Sequence, residues 1–257
     1  QFEKIVKVIQ LKSHQTVLQV DLGAITHNLN YYRSLLQPNT KLMAMVKALS
    51  YGLGDSELIN ELRYHNIDYL AVAYVDEGIA LRKRKINTPI VVLGAEAAGF
   101  STMIEYQLEP EIFNFHYLDK LIETLQFFPE KKQYPIHIKI DTGMHRLGFD
   151  EDDNPRLINI LKENPQLHVA SVFSHFAASE DPAEDNFTKL QAEVFHRICN
   201  LMETQLGYSF MKHIANSAGI SRFKEYHFNC VRLGLGLYGY SGVLEDQKHL
   251  QNTVTLK

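Results

Sequence analysis

Leu42-Met43-Ala44-Met45-Val46 is an unbroken apolar run that ends on Lys47 and opens into Ala48-Leu49-Ser50-Tyr51-Gly52-Leu53-Gly54. A run this short and this apolar predicts a buried strand. The glycines behind it predict a loop where the backbone turns sharply or comes close to something. Residues 55–63 then show apolar positions at helical spacing behind an Asp or Ser cap. Strand, loop, helix is the unit that decides the fold, because it recurs. Further candidate strands are 68–73, 90–93, 109–113, 136–141, 167–174, 212–215 and 228–232, with helical patterns at 76–85, 116–126, 153–163 and 183–205 between them. Eight strands alternating with helices predict a (β/α)8 TIM barrel. A doubly wound open sheet is the rival, but no GxGxxG follows the first strand.

The two ends depart from this rhythm. Residues 1–12 form a short amphipathic stretch, and 15–21 alternate like a half-buried strand. After Gly242 the chain turns polar, and 250–256 alternate again. The expected organisation is a linker or the tail of a preceding domain over 1–14 and the barrel over 15–242. The first strand of a truncated C-terminal β domain then occupies 243–257. Gln1 is not an initiator residue, so a piece of a longer protein is expected.

The chain has 257 residues, 45% hydrophobic and 22% charged, which describes a soluble globular protein. Its net charge of −4 and lack of a basic block argue against nucleic acid or an anionic membrane as partner. Cys199 and Cys230 lack CxxC spacing, so neither a disulfide framework nor a zinc site is indicated. No apolar stretch approaches the roughly 18 residues that span a bilayer, and a cytoplasmic location is expected.

Barrel chemistry gathers at the C-terminal ends of the strands. Those positions hold Lys47 and Tyr51 after the first strand, Arg146 after the fifth and His175 after the sixth. Asn216 and Ser217 follow the seventh, and Arg232 closes the eighth ahead of Gly234 and Leu235. An amine at a strand mouth with a phenol four residues on suits a cofactor that carries a carbonyl and a phosphate. Taken singly, each residue has a plainer reading. Lys47 reads as a solvated lysine, His175 as a core histidine and Arg232 as a salt-bridge arginine. Asn216-Ser217 reads as a helix cap, which is itself compatible with anion binding. Lys139 shares a strand face with Asp141 by the two-residue period, and turned inward it must be paired or modified.

Val46-Lys-Ala-Leu-Ser-Tyr-Gly-Leu-Gly54, Asp141-Thr-Gly-Met-His-Arg-Leu-Gly148, Ser174-His-Phe176, Ala215-Asn-Ser-Ala218 and Val231-Arg-Leu-Gly234 together resemble the alanine racemase family. The resemblance runs from about residue 15 to 257. It implies a pyridoxal 5'-phosphate enzyme that interconverts L- and D-alanine for peptidoglycan, with an N-terminal barrel and a C-terminal β domain. By the same resemblance Lys47 holds the cofactor as a Schiff base and acts as one of two acid/bases. Tyr51, Ser217 and the backbone of Gly234 and Leu235 hold the phosphate, with Asn216 beside them. Arg146 contacts the cofactor's phenolic oxygen and the substrate carboxylate. His175 packs at the pyridine ring and supports Arg232, which faces the ring nitrogen. Lys139 matches a position that is carbamylated in some members, and Asp141 orders the same motif. One departure is that the family's Asn-Ala-Tyr-Gly-His-Gly loop reads Leu49-Ser50-Tyr51-Gly52-Leu53-Gly54 here, which leaves the loop's polar contacts open.

Racemisation needs an acid/base on each face of the reacting carbon. The resemblance supplies Lys47 for one face and, for the other, a tyrosine from the second domain of the partner subunit in a homodimer. No residue in 1–257 matches that tyrosine. Phe2-Glu-Lys-Ile-Val-Lys-Val-Ile9 resembles the closing helix of the ligases that attach D-alanyl-D-alanine to the muramoyl tripeptide, implying the racemase part of a fusion. A plain amphipathic helix accounts for the same residues. Alternatives are a non-catalytic pyridoxal-phosphate barrel, against which the strand pattern at 250–256 argues, a racemase for another small amino acid such as serine, and a barrel decarboxylase. The last would place an acid where Arg232 stands.

Overall fold

A computed structural model describes residues 16–54 and 56–257. The amphipathic stretch at 1–12, with its ligase resemblance, and the Asp55 cap lie outside the described residues. The eight barrel strands are β2 (Lys41–Met45), β3 (Tyr69–Val72), β4 (Ile90–Val92), β5 (Glu109–Ile112), β6 (Tyr134–Lys139), β7 (Leu167–Phe173), β8 (Met211–His213) and β9 (Cys230–Leu233). They follow β1 (Leu18–Val20) and precede β10 (Val254–Leu256). All neighbouring barrel strands are parallel, in the order β8-β7-β6-β5-β4-β3-β2-β9. Backbone bonds from Asn229 to Lys212 (3.2 Å) and from Arg232 to Ala215 (3.0 Å) bring β9 back to β8. The sheet is therefore a nearly closed barrel, as the strand-helix rhythm predicts.

The helices between the strands are α1 (Leu22–Ser34), α2 (Ser56–Tyr64), α3 (Val75–Lys83), α4 (Phe100–Glu105), α5 (Phe115–Leu125), α6 (Asn154–Glu163), α7 (Asp185–Leu206) and α8 (Ser217–Arg222). Alternate strand residues serve two different cores. Leu42, Ala44 and Val46 of β2 and its end, with Leu70, Val72, Ile90 and Val92, pack outward under the helices. Met43, Met45, Ala71, Val91 and Cys230 form a separate apolar cluster inside the barrel. Each such buried Leu, Ile, Val or Met side chain contributes roughly 1.5–3 kcal/mol.

Helix α1 escapes a reading by periodicity because one of its buried positions is Asn28. That amide is fully used. It donates to Leu237 O (3.2 Å) and Gln251 O (2.9 Å) and accepts from Gln251 N (2.8 Å). The chain end is thereby tied to the barrel, and β10 pairs antiparallel with β1, Val254 opposite Val20 and Leu256 opposite Leu18. The two alternating segments at the ends of the sequence are thus partners of each other. No helix among the described residues is long and apolar enough to cross a membrane.

Candidate active site

The C-terminal mouth of the barrel opens into a cavity of about 740 Å³. Lys47, Tyr51, Lys139, Arg146, His175, Asn216, Ser217, Arg232, Gly234 and Leu235 all line it. Every site residue expected from the sequence therefore comes to one place.

Lys47 leaves β2 into an unusual turn. Ala48, Leu49, Ser50 and Tyr51 all have positive φ, between 52° and 57°, before Gly52 at 86°. Four successive non-glycine residues in the left-handed region cost roughly 1–2 kcal/mol each. The surroundings hold them there. Ser50 N donates to Val46 O (3.0 Å) and Gly52 N to Ala48 O (2.8 Å). The Glu77 carboxylate at the start of α3 accepts from Ala48 N, Ala73 N (2.7 Å) and Tyr74 N (3.0 Å). The turn sets the Lys47 amine over the Tyr51 ring, 5.9 Å from its centroid. It also packs Tyr51 against Tyr238 at 4.8 Å, and the Tyr238 hydroxyl donates to Met45 O (2.8 Å).

Across the mouth, Asn216 caps α8 by accepting from Gly219 N (2.9 Å) and from the Ser179 hydroxyl (2.7 Å). The next hydroxyl, Ser217 Oγ, accepts from Gly234 N (3.0 Å) and Gly236 N (3.3 Å). Gly236 admits no side chain, because a Cβ there would lie 2.4 Å from the Tyr32 ring. The Ser217 hydroxyl, the Gly234 backbone and the Tyr51 phenol beside it form a cradle at one side of the cavity, where the two hydroxyl groups can donate to an anion. Burial raises the Tyr51 phenol, so it remains a donor. Tyr51, Ser217, Gly234 and Leu235, the residues expected to hold a phosphate, all line the cavity, whereas Gly236, whose N–H also reaches Ser217 Oγ, is not among the lining residues.

Arg232 is buried at the floor of the cavity. Its Nη1 donates to His213 Nδ1 (2.7 Å) and His213 O (3.3 Å). Its Nη2 donates to Ser174 O (2.7 Å), His175 Nδ1 (2.9 Å) and Ile214 O (3.1 Å). All these bonds leave from the terminal nitrogens, so Nε–H is the donor available to a ligand. Burial pulls the guanidinium down to about 10, still far above neutral pH, so it stays charged. A donor-only neighbour forces Nδ1 of both histidines to be bare acceptors. Burial first, and then Arg232, Arg146, Lys139 and Lys47, hold His175 well below the usual histidine range, so it is neutral.

The Asp141 loop presents Arg146. Asp141 Oδ1 accepts from Gly143 N (2.8 Å) and His145 N (3.1 Å), and Gly148, at φ 138°, lets the backbone return against Asp141. Arg146 is exposed toward the cavity and has no ion-pair partner among the described residues. Lys139 lies deeper, its amine 3.1 Å from Glu111 Oε1. Glu111, Glu77 and His213 do not stand out in the sequence as site residues. The signal for Glu111 was available: Glu109 and Glu111 share one strand face by the same period that pairs Lys139 with Asp141. With Lys47, Arg146 and Arg232 around it and Glu111 engaged by Lys139, the cavity favours an anionic guest.

A parallel barrel with a polar cavity at its C-terminal mouth, lined by an amine, two arginines and a hydroxyl cradle, defines a class by fold: a (β/α)8 barrel with a site for a small anionic molecule. The sequence comparisons are more specific. Residues 20–242 match the family described as alanine racemase, N-terminal domain, and the chain belongs to that family. An alanine racemase of Synechocystis sp. is 32% identical over 247 residues, covering 93% of this chain and 63% of that protein. The chain thus spans less than two thirds of the length of that relative. The alanine racemase of Clostridium difficile 630, solved in complex with cycloserine, is similar with a TM-score of 0.88 at 29% identity, over 95% of this chain and 68% of that one. The Bacillus anthracis alanine racemase with bound L-Ala-P gives a TM-score of 0.85 at 26% identity, over 95% of this chain and 64% of that one.

Proposed function

We propose that this chain is the cofactor-binding barrel of a pyridoxal-5'-phosphate alanine racemase. The observation that carries the reading is the pairing of Lys47 with the Ser217, Gly234 and Tyr51 cradle across one cavity whose floor donor is Arg232. The residues fit the cofactor. The cradle suits its phosphate, the Lys47 amine its aldehyde, and Arg232 Nε–H its ring nitrogen. When bound, pyridoxal phosphate supplies an electron sink that eases removal of the α-proton of an amino acid. Lys47 Nζ takes and returns that proton on one face. Arg146, free of an internal carboxylate, binds the substrate carboxylate. His175, neutral and accepting from Arg232, holds that arginine in place.

Arg232 explains why racemisation is favoured over transamination. An arginine donates a hydrogen bond without giving up its proton, so it leaves the ring nitrogen uncharged and the sink weak. The second acid/base is proposed to be a tyrosine from a partner subunit's C-terminal domain in a homodimer. D-alanine made in the cytoplasm would then feed peptidoglycan. The chain loaded with pyridoxal phosphate and reduced with borohydride should carry the cofactor on the Lys47 peptide. Label on any other lysine would overturn the assignment. In deuterated water, one enantiomer of alanine should exchange its α-proton in a Lys47-dependent manner, while exchange of that enantiomer in Lys47→Ala would refute the role.

A further inference from the structure

The polar interior of the barrel continues below Arg232. His213 Nε2 lies 3.0 Å from Ser171 Oγ, Ser171 Oγ lies 2.6 Å from His137 Nδ1, and His137 Nε2 lies 2.7 Å from Glu109 Oε2. His213, Ser171 and His137 are wholly buried, and Glu109, at the start of β5, keeps 15% of its side chain in solvent. The register makes this possible, since His137 pairs with Ser171 across β6 and β7 and all four residues point into the barrel. We propose that Glu109, His137, Ser171 and His213 form a one-way hydrogen-bond relay that positions Arg232, with Glu109 as its anchor at the opposite end of the barrel.

The direction follows from the two ends. A carboxylate only accepts, so His137 carries its proton on Nε2 and shows a bare Nδ1 to Ser171. Ser171 must then donate to His137, and its lone pair accepts from His213 Nε2–H. That leaves His213 Nδ1 bare, which is the acceptor Arg232 requires, because arginine only donates. Both ends demand the same polarity, so the relay has a single satisfied arrangement and no buried donor or acceptor in it is orphaned. His213 is also fixed in orientation by the Phe173 ring, stacked on it at 4.9 Å and 2°. The relay residues touch neither the cavity nor a ligand; they act through Arg232. The effect on the cofactor rests on the ring-nitrogen reading of Arg232, whereas the relay itself does not.

The test is tautomer-resolved nitrogen NMR on the chain labelled with 15N-histidine, first without cofactor. His137 and His213 should both be neutral Nε2–H tautomers at neutral pH; a Nδ1–H or charged ring at either would overturn the relay. Glu109→Gln should shift the His213 ring nitrogens in the otherwise native chain and not in a Ser171→Ala background. An equal shift in both, or none in either, would refute it, and a merely structural role for Glu109 predicts none. Ser171→Thr keeps the hydroxyl and should keep the coupling, so its loss in a folded Thr variant counts against the relay. With pyridoxal phosphate bound, Ser171→Ala should also move the cofactor's absorption band. Histidine signals that obey the relay beside an unmoved band would spare the relay and overturn the placement of Arg232 at the ring nitrogen.

Discussion

Lys139 Nζ and Glu111 Oε1 lie 3.1 Å apart inside the barrel, with the lysine 9% and the glutamate 1% exposed. Burial pulls the Lys139 amine down and pushes the Glu111 carboxyl up, while each partner opposes the shift of the other. The pair gives the inward lysine the partner that a buried amine requires. It also keeps a buried carboxylate within electrostatic reach of Arg232 and, more weakly, Arg146 without pairing with either, where a carbamate on Lys139 would add a second anion. Lys139 is therefore expected to be unmodified. Carbon NMR in 13C-bicarbonate should show no carbamate signal; one that vanishes in Lys139→Ala would contradict this. Glu111→Gln should destabilise the fold by about 1–3 kcal/mol, less than the usual 3–5 kcal/mol for an orphaned buried charge, because Lys139 can shed its proton.

The left-handed turn after Lys47 makes a prediction of unusual sign. Glycine inside an ordered segment usually destabilises by about 0.5–1 kcal/mol. Leu49 has φ 52° and is 62% exposed, so it loses little packing when truncated and sits where only glycine is unstrained. Leu49→Gly should stabilise the chain by about 1 kcal/mol in urea denaturation. Destabilisation would show that the leucine side chain holds the turn.

The barrel was legible because strands such as β2, β3 and β4 are short apolar runs at a regular spacing, and residues placed after the strands fall at the mouth by construction. Three features were hidden for physical reasons. Residues 48–51 contain no glycine, so nothing local announces positive φ; the first residue of the turn is held from a distance, by Glu77 on α3. Glu109, Glu111, His137 and Ser171 read as a solvated face, since polar residues on alternate strand positions usually are one, whereas here they fill the barrel interior. The pairing of β1 with β10 joins segments more than 200 residues apart, and no local pattern encodes a partner at that separation.

Acid should weaken this fold through His213. Burial holds it well below the usual histidine value, so the folded chain refuses a proton that the unfolded chain binds. Stability from this group is complete above the unfolded pKa of about 6.5 and falls as pH drops below it, by about 1.4 kcal/mol per pH unit until the folded pKa is reached. Urea denaturation from pH 7 to 5.5 should show at least that slope, since buried His175 adds to it, and His213→Gln should reduce it by about one proton. An unchanged slope in a folded variant would mean that His213 is charged in the native state.

Arg232→Glu tests the electron-sink argument. A carboxylate facing the ring nitrogen would favour its protonation and strengthen the sink. In the full-length racemase that the proposed function implies, the variant should release more pyruvate per racemisation event, with racemisation falling by at least an order of magnitude as about 1.4 kcal/mol or more of barrier is added. The same change removes every bond from Arg232 to His175, His213 and the strand ends, so part of the loss comes from displaced neighbours. Arg232→Lys separates the two effects. It retains a cation but forfeits the two-nitrogen grip, so it should lower racemisation without raising pyruvate release. Equal partition in Glu and Lys variants would show that geometry, not the charge facing the ring, sets the outcome.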